Sequence, residues 1–104
     1  MRKVPKKITH KLEQKIINAV KSLAIQSAEF EGFVRFDYDV DWSDFPTSLK
    51  LKAVFNTEAS IIAMKTGNQK SYIEKYALNA LMKQGVRVKD IRKLISFDVE
   101  SSNN

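Results

Sequence analysis

The apolar positions of this chain follow two periodicities, one typical of helices and one typical of strands. Near the N-terminus, apolar residues recur at spacings of three and four. They are Ile8, Leu12, Ile16, Ala19, Val20 and Leu23. This spacing predicts an amphipathic helix that begins at about Pro5 or Thr9 and ends at Ser27. Two further helices are predicted over residues 58–66 and 69–84.

A glycine follows each of the two later helices. Gly67 and Gly85 stand where a left-handed residue commonly closes a helix, and we expect both to adopt that conformation. Ala63, Gly67 and Ile73 also have the spacing of a helix-turn-helix, in which the second helix enters the major groove of DNA. The alternative is a glycine-closed corner between two core helices.

Two segments in the middle of the chain alternate between apolar and polar residues, as half-buried strands do. They span residues 33–42 and 49–56, joined by the loop SDFPTS. A hairpin centred on this loop gives one register that suits both sheet faces. Its pairs are Phe36 with Phe55, Tyr38 with Ala53, Val40 with Leu51, Asp39 with Lys52, and Asp41 with Lys50. A third strand is predicted through Ile95, Phe97 and Val99, after a segment whose pattern suggests no more than one helical turn.

These elements predict an α+β fold in which helices cover one face of a three-stranded sheet. The predicted order is helix, strand, strand, helix, helix, strand. The opposite sheet face alternates lysine with aspartate and should face solvent. A chain of 104 residues fits a single domain, which we place at residues 1–100, with 101–104 as a disordered tail.

The composition offers little to catalysis or to metal binding. The chain has no cysteine and a single histidine, His10, and no carboxylate pair is placed to divide acid and base roles. Asp37, Asp39 and Asp41 share one side of a strand, but lysines are predicted opposite them, which favours cross-strand charge pairs over a cation site. We therefore expect no enzyme activity, no metal and no cofactor.

Cysteine usage and hydropathy bear on the compartment. The lack of cysteine suits a reducing environment. No segment approaches the roughly 20 apolar residues that a membrane span requires. These features predict a cytoplasmic protein with no membrane partner.

The net charge of +6 is unevenly distributed. Residues 1–21 carry seven cations and one acid, and residues 83–93 carry five cations and one acid. This asymmetry favours attraction to a polyanion such as DNA or RNA. The candidate nucleic-acid-binding residues are Lys7, Lys11, Lys15, Lys70, Arg87, Lys89, Arg92 and Lys93.

The alternative function is a protein-interaction or self-associating domain. Phe33 and Val54 are predicted on the otherwise charged sheet face, where a dimer could cover them. Trp42 and Phe45 are predicted at the tip of the hairpin loop, where exposed aromatic rings could anchor a partner.

Two resemblances add expectations. The element order resembles the KH fold of the bacterial type II kind, in which a GxxG loop between two helices clamps the nucleic-acid backbone. In this chain the loop would be GNQK at residues 67–70, where Lys70 replaces the second glycine.

The segments VDWSDFPTSLKLKAVFNT and GVRVKDIRKLISFDVE are more literally similar to a group of small bacterial proteins of unknown function. These proteins carry SDFP.SL and SFD.E segments at matching spacing. Some are labelled as transcription regulators of the Fis kind, but Fis proteins are all-helical. The resemblance therefore implies the fold and leaves the function open.

Overall fold

The computed structural model describes residues 6–100, with side chains from Thr9 onward. The side chain of Lys7 and the predicted tail at 101–104 lie outside the described residues. The described chain forms four helices, a 3₁₀ turn and three strands. In chain order they are α1 (Lys6–Ser27), β1 (Phe33–Asp39), the 3₁₀ turn (Trp42–Asp44), β2 (Lys50–Phe55), α2 (Glu58–Thr66), α3 (Gln69–Lys83), α4 (Ile91–Leu94) and β3 (Ile95–Val99). The predicted α+β class with a three-stranded sheet is confirmed.

The sheet is mixed, and β2 is its central strand. β1 pairs antiparallel with β2, whereas β3 pairs parallel with β2, with Leu51 opposite Ile95. Parallel neighbours need a long crossover connection, which α2, α3 and α4 provide here. The first residues of β2 and β3 consequently lie at the same end of the sheet.

The core lies between the sheet and the helices. α1 packs against α3 and β1, and α2 packs against β2 and β3. The largest fully buried apolar side chains are Ile16, Leu23, Leu49, Leu51, Phe55, Met64, Ile73 and Leu81. Burial of each such side chain contributes about 1.5–3 kcal/mol, so this layer supplies most of the drive to fold.

The helix ends agree with the sequence prediction except at one glycine. Gly85 has a positive φ of 78°, as expected, but Gly67 has φ −91° and Asn68 adopts the left-handed conformation with φ 66°. The Gly67 amide still bonds to the carbonyl of Ala63, at 2.9 Å, so the chain reverses one residue later. Asparagine tolerates this conformation better than most residues. Ala63 is exposed and does not provide the interhelical contact of a helix-turn-helix.

The hairpin register differs from the predicted one by two residues. Tyr38 lies opposite Leu51 and Asp39 lies opposite Lys50. The reason is a longer connection, because Asp41 leaves the strand: its amide and carbonyl both bond to the hydroxyl of Ser48, at 2.9 and 2.8 Å. A shift of two residues preserves the period of the strand, so apolar and charged residues keep their predicted faces in this stretch.

A bulge at the start of β1 changes which residues face outward. Between Phe33 and Arg35 the register shifts, so Phe33 packs toward the core, with its ring centre 5.0 Å from that of Phe36. Val34 is exposed in its place. Val54 remains on the charged face but is only 3% exposed. The prediction that Phe33 and Val54 are both exposed on that face is therefore wrong.

Val54 is covered by an ion pair that spans the sheet. The guanidinium of Arg35 on β1 lies 2.9 Å from the carboxylate of Glu100, just after β3. Arg35 lies opposite Val54, which in turn lies opposite Asp98. Because β2 lies between the two partners, the Arg35 side chain crosses over the central strand and shields Val54.

We expect Gly32→Ala to destabilise the fold more than Gly85→Ala. Both glycines have positive φ, at 83° and 78°, and an alanine there costs about 1–2 kcal/mol from backbone strain alone. A Cβ at Gly32 would also overlap the side chain of Ser60 on α2, whereas a Cβ at Gly85 meets nothing within 4 Å. Overpacking should add about 1–3 kcal/mol at Gly32. Urea unfolding measures the free energy of unfolding of both variants. Equal losses of stability in the two variants would contradict the close approach of α2 to Gly32.

Candidate functional site

A groove of about 640 Å³ opens at the end of the sheet where β2 and β3 begin. One wall is the β1–β2 loop (residues 40–49) with the first residue of β2. The other is the return segment (residues 84–90), which leads from α3 back to the sheet, together with α4. Its apolar floor comes from Pro46, Leu49, Val88 and Leu94. Its cations are Lys50, Arg87, Lys89 and Lys93.

Hydrogen bonds within the β1–β2 loop hold the first wall. The carboxylate of Asp41 caps the 3₁₀ turn, accepting from the hydroxyl of Ser43 at 2.7 Å and from its amide at 3.0 Å. These two bonds lower the pKa of Asp41, the hydroxyl contributing most. The amide of Leu49 then bonds to the carbonyl of Pro46, at 3.0 Å. The loop therefore presents Pro46 to the groove from a bonded turn.

The return segment is anchored by alternate burial. Val86 is 3% exposed, and its amide bonds to the carbonyl of Leu81 at 2.9 Å. Val88 is half-buried, while Arg87 and Lys89 are exposed. Asp90 then caps α4 by accepting from the amide of Arg92, at 3.0 Å. Apolar residues thus fasten this segment and leave its cations free to face solvent.

The charges of the groove are unbalanced. Lys50, Arg87, Lys89 and Lys93 form no ion pair with another described residue. Asp90, the acid of the lining, is already bonded to Arg92, whose Nε lies 3.2 Å away. That side-chain bond is the main cause of a lowered Asp90 pKa. Lys93 makes a smaller contribution to the lowered pKa, so the single charge of Asp90 leaves most of the positive charge of the groove uncompensated.

The candidate cations outside the groove are differently placed. Lys70 is bonded to Glu74 at 2.7 Å, and the Glu74 side chain is only 13% exposed. Arg92 is held by Asp90, and its pKa is raised mainly by that hydrogen bond, with a smaller contribution from Glu74. Lys11 and Lys15 are exposed on α1 and do not line the groove.

Three of the sequence-predicted cations, Arg87, Lys89 and Lys93, therefore meet in the groove. The fourth, Lys50, was missed because the sequence assigned it to a cross-strand pair. Its position beside residues 87–93 follows from the parallel pairing of β2 with β3, which places the residues preceding both strands side by side. A prediction of strand direction would have found it; composition alone does not.

The candidate protein-contact residues are packed within the domain. The rings of Trp42 and Phe45 lie 5.5 Å apart and rest against the core, and Phe33 and Val54 are placed as described above. Within residues 9–100, the exposed large apolar side chains are Ile25, Val34, Ile62, Tyr72 and Met82. They are spread over three helices and the edge strand β1, and none lines the groove.

Comparisons with known protein families, curated proteins and solved structures gave no match for this chain. Among the described residues, no cluster of three or more histidine, aspartate or glutamate side chains is arranged to hold a metal ion. No helix within residues 6–100 is long and apolar enough to cross a membrane.

We expect Asp90→Ala to lower the melting temperature at neutral pH, because it removes the cap of α4 and the partner of Arg92. The folded pKa of Asp90 is lowered, so its contribution is complete above the ordinary aspartate pKa of about 3.9 and is lost as the pH falls through the lowered value. Thermal melts should show a constant difference from the native protein near pH 7 and a shrinking one below about pH 4.

Asp44→Ala is the matched control, because the exposed Asp44 side chain makes no hydrogen bond with another described residue. At pH 7, Asp44→Ala should lower the melting temperature less than Asp90→Ala does. An Asp90→Ala difference that grew as the pH fell would contradict the assigned role.

Proposed function

We propose that this chain is a non-enzymatic nucleic-acid-binding domain whose phosphate contacts are made in the groove. The observation that carries the proposal is the convergence of Lys50, Arg87, Lys89 and Lys93 on one concave surface. Like charges brought together without partners raise the local potential, and a polyanion relieves that repulsion. Phosphate neutralisation also releases counterions from the nucleic acid, which drives binding at low salt.

Further cations at the same end of the molecule favour an extended ligand over a single small anion. The hydroxyl of Tyr38, near the end of β1, donates to the carboxylate of Glu13 at 3.1 Å. This contact fixes the first half of α1 beside the strand end that enters the β1–β2 loop. Lys11 and Lys15 are exposed on that half of α1. We propose that a strand that leaves the groove on the β1 side contacts these two lysines as well.

We assign the contact to the groove rather than to the corner at residues 67–70. A clamp of the GxxG kind needs the backbone to approach the phosphate closely, which a second glycine permits. Lys70 stands in that position, and its ammonium is already bonded to Glu74. None of residues 67–70 lines the groove. The KH resemblance would then apply to the order of elements and not to the contact.

The variant Arg87→Gln/Lys89→Gln/Lys93→Gln should weaken binding to a short labelled single-stranded DNA by at least about tenfold at low salt, because three phosphate contacts are lost. The slope of log Kd against log salt should decrease by about 2. Fluorescence anisotropy over a salt series measures both. The control Lys21→Gln/Lys65→Gln/Lys75→Gln removes the same charge from exposed positions outside the groove and should change Kd by less than about threefold.

Equal losses in the two triple variants would show that net charge alone attracts the strand. Native binding weaker than about 100 μM at low salt would reject nucleic-acid binding altogether, since non-specific binders usually do better.

A further inference from the structure

Resting on the proposed function, we propose that the groove accepts one unpaired nucleoside unit of a strand, with the base on the apolar floor and the phosphates that flank it on the cationic rim. The ligand class is therefore a strand with at least one base free of pairing, or a free nucleoside phosphate of the same chemistry.

The floor supplies the first argument. An apolar depression adds nothing to the binding of phosphates, because phosphates stay at the level of the charged rim. Here Pro46, Leu49, Val88 and Leu94 line the depression. Leu49 and Leu94 are 2% and 9% exposed, so the core fixes them, and the apolar surface open to a base comes mainly from the half-buried Pro46 and Val88. A rigid apolar floor favours a flat apolar group, such as a base, over water.

The size of the groove supports the same ligand. Its volume of about 640 Å³ lies within the range of roughly 300–1,000 Å³ that is typical of pockets for small ligands. A single nucleotide fits in that space, whereas a base inside a duplex is stacked and paired and does not reach the floor. Duplexes would therefore contact the rim alone.

The distribution of the cations gives the third argument. On the return segment, Arg87 and Lys89 are exposed and line the groove on either side of the half-buried Val88. Lys50 stands on the opposite wall, at the start of β2. The two walls are therefore positively charged and the floor between them is apolar. This arrangement suits a nucleotide, whose charged phosphates are separate from its flat base.

Two single strands of equal length test the idea on the native protein: an oligothymidylate and its abasic counterpart. The two single strands carry the same phosphates, so a site that reads only charge binds them equally. We expect the oligothymidylate to bind about tenfold tighter than the abasic strand, the factor that follows from burying roughly 60 Å² of apolar surface.

Thymidine monophosphate added as a competitor distinguishes the two sources of the ligand. Displacement of oligothymidylate only at large molar excess assigns the groove to a strand, and displacement at equal concentration assigns it to a free nucleotide. Failure to displace the strand even at saturation would contradict a nucleoside phosphate site in the groove.

A groove-filling variant without an aromatic ring locates the effect, because an aromatic ring would itself stack on a base. Thr47 is exposed at the groove lining, and Thr47→Leu should abolish the preference for oligothymidylate while changing the abasic affinity by less than about twofold, since every cation remains. Asn79→Leu, on the exposed side of α3, is the control and should keep the preference. If Thr47→Leu does not fold, the strand comparison on the native protein still decides.

The outcomes separate the two proposals. Equal affinity of the native protein for thymidylate and abasic strands would overturn the base-accepting groove and leave phosphate binding intact. No binding of either strand would overturn both. A preference that survives unchanged in Thr47→Leu would place the base outside the groove.

Discussion

The parallel pairing of β2 with β3 is the constraint on which the candidate site depends. An antiparallel β3 would begin at the far end of the sheet and carry residues 87–94 away from Lys50. In the observed sheet, Leu51 lies opposite Ile95, so the residues that precede the two strands are neighbours. One wall of the groove thus comes from the hairpin and the other from a segment about 40 positions later in the chain. The crossover through α2 and α3 is required by strand direction, and it also covers the core.

Within that frame, short polar interactions decide the shape of the groove. Asp41 ends β1 early by capping the 3₁₀ turn and by meeting Ser48. Asp90 plays the same part before α4, where it caps the helix and accepts a hydrogen bond from the side chain of Arg92. Each of the two carboxylates holds one wall of the groove in place. Both have lowered pKa values for the same reason, because each accepts a hydrogen bond from the residue two positions later in the chain. The acidic residues around the basic surface therefore organise it more than they neutralise it.

Periodicity predicted the helices and strands well because each element buries one face, and burial leaves its period in the sequence. It failed where a single residue changes the local geometry. A bulge that exchanges Phe33 with Val34 leaves no periodic trace, and neither does the choice between Gly67 and Asn68 for the left-handed position. The register erred by two residues because an alternating pattern fits any even shift. For the site, charge counting found Arg87, Lys89 and Lys93 in one segment, but Lys50 required knowledge of strand direction, which is a long-range property.

In the proposed site, two segments distant in sequence form one binding surface. Backbone amide chemical-shift mapping of the labelled protein, titrated with a short single-stranded oligonucleotide, tests this arrangement. We expect the amides of residues 47–50 and of residues 87–94 to shift together, with one common Kd. Shifts confined to α1 or to the corner at residues 67–70, with both walls of the groove unchanged, would contradict it.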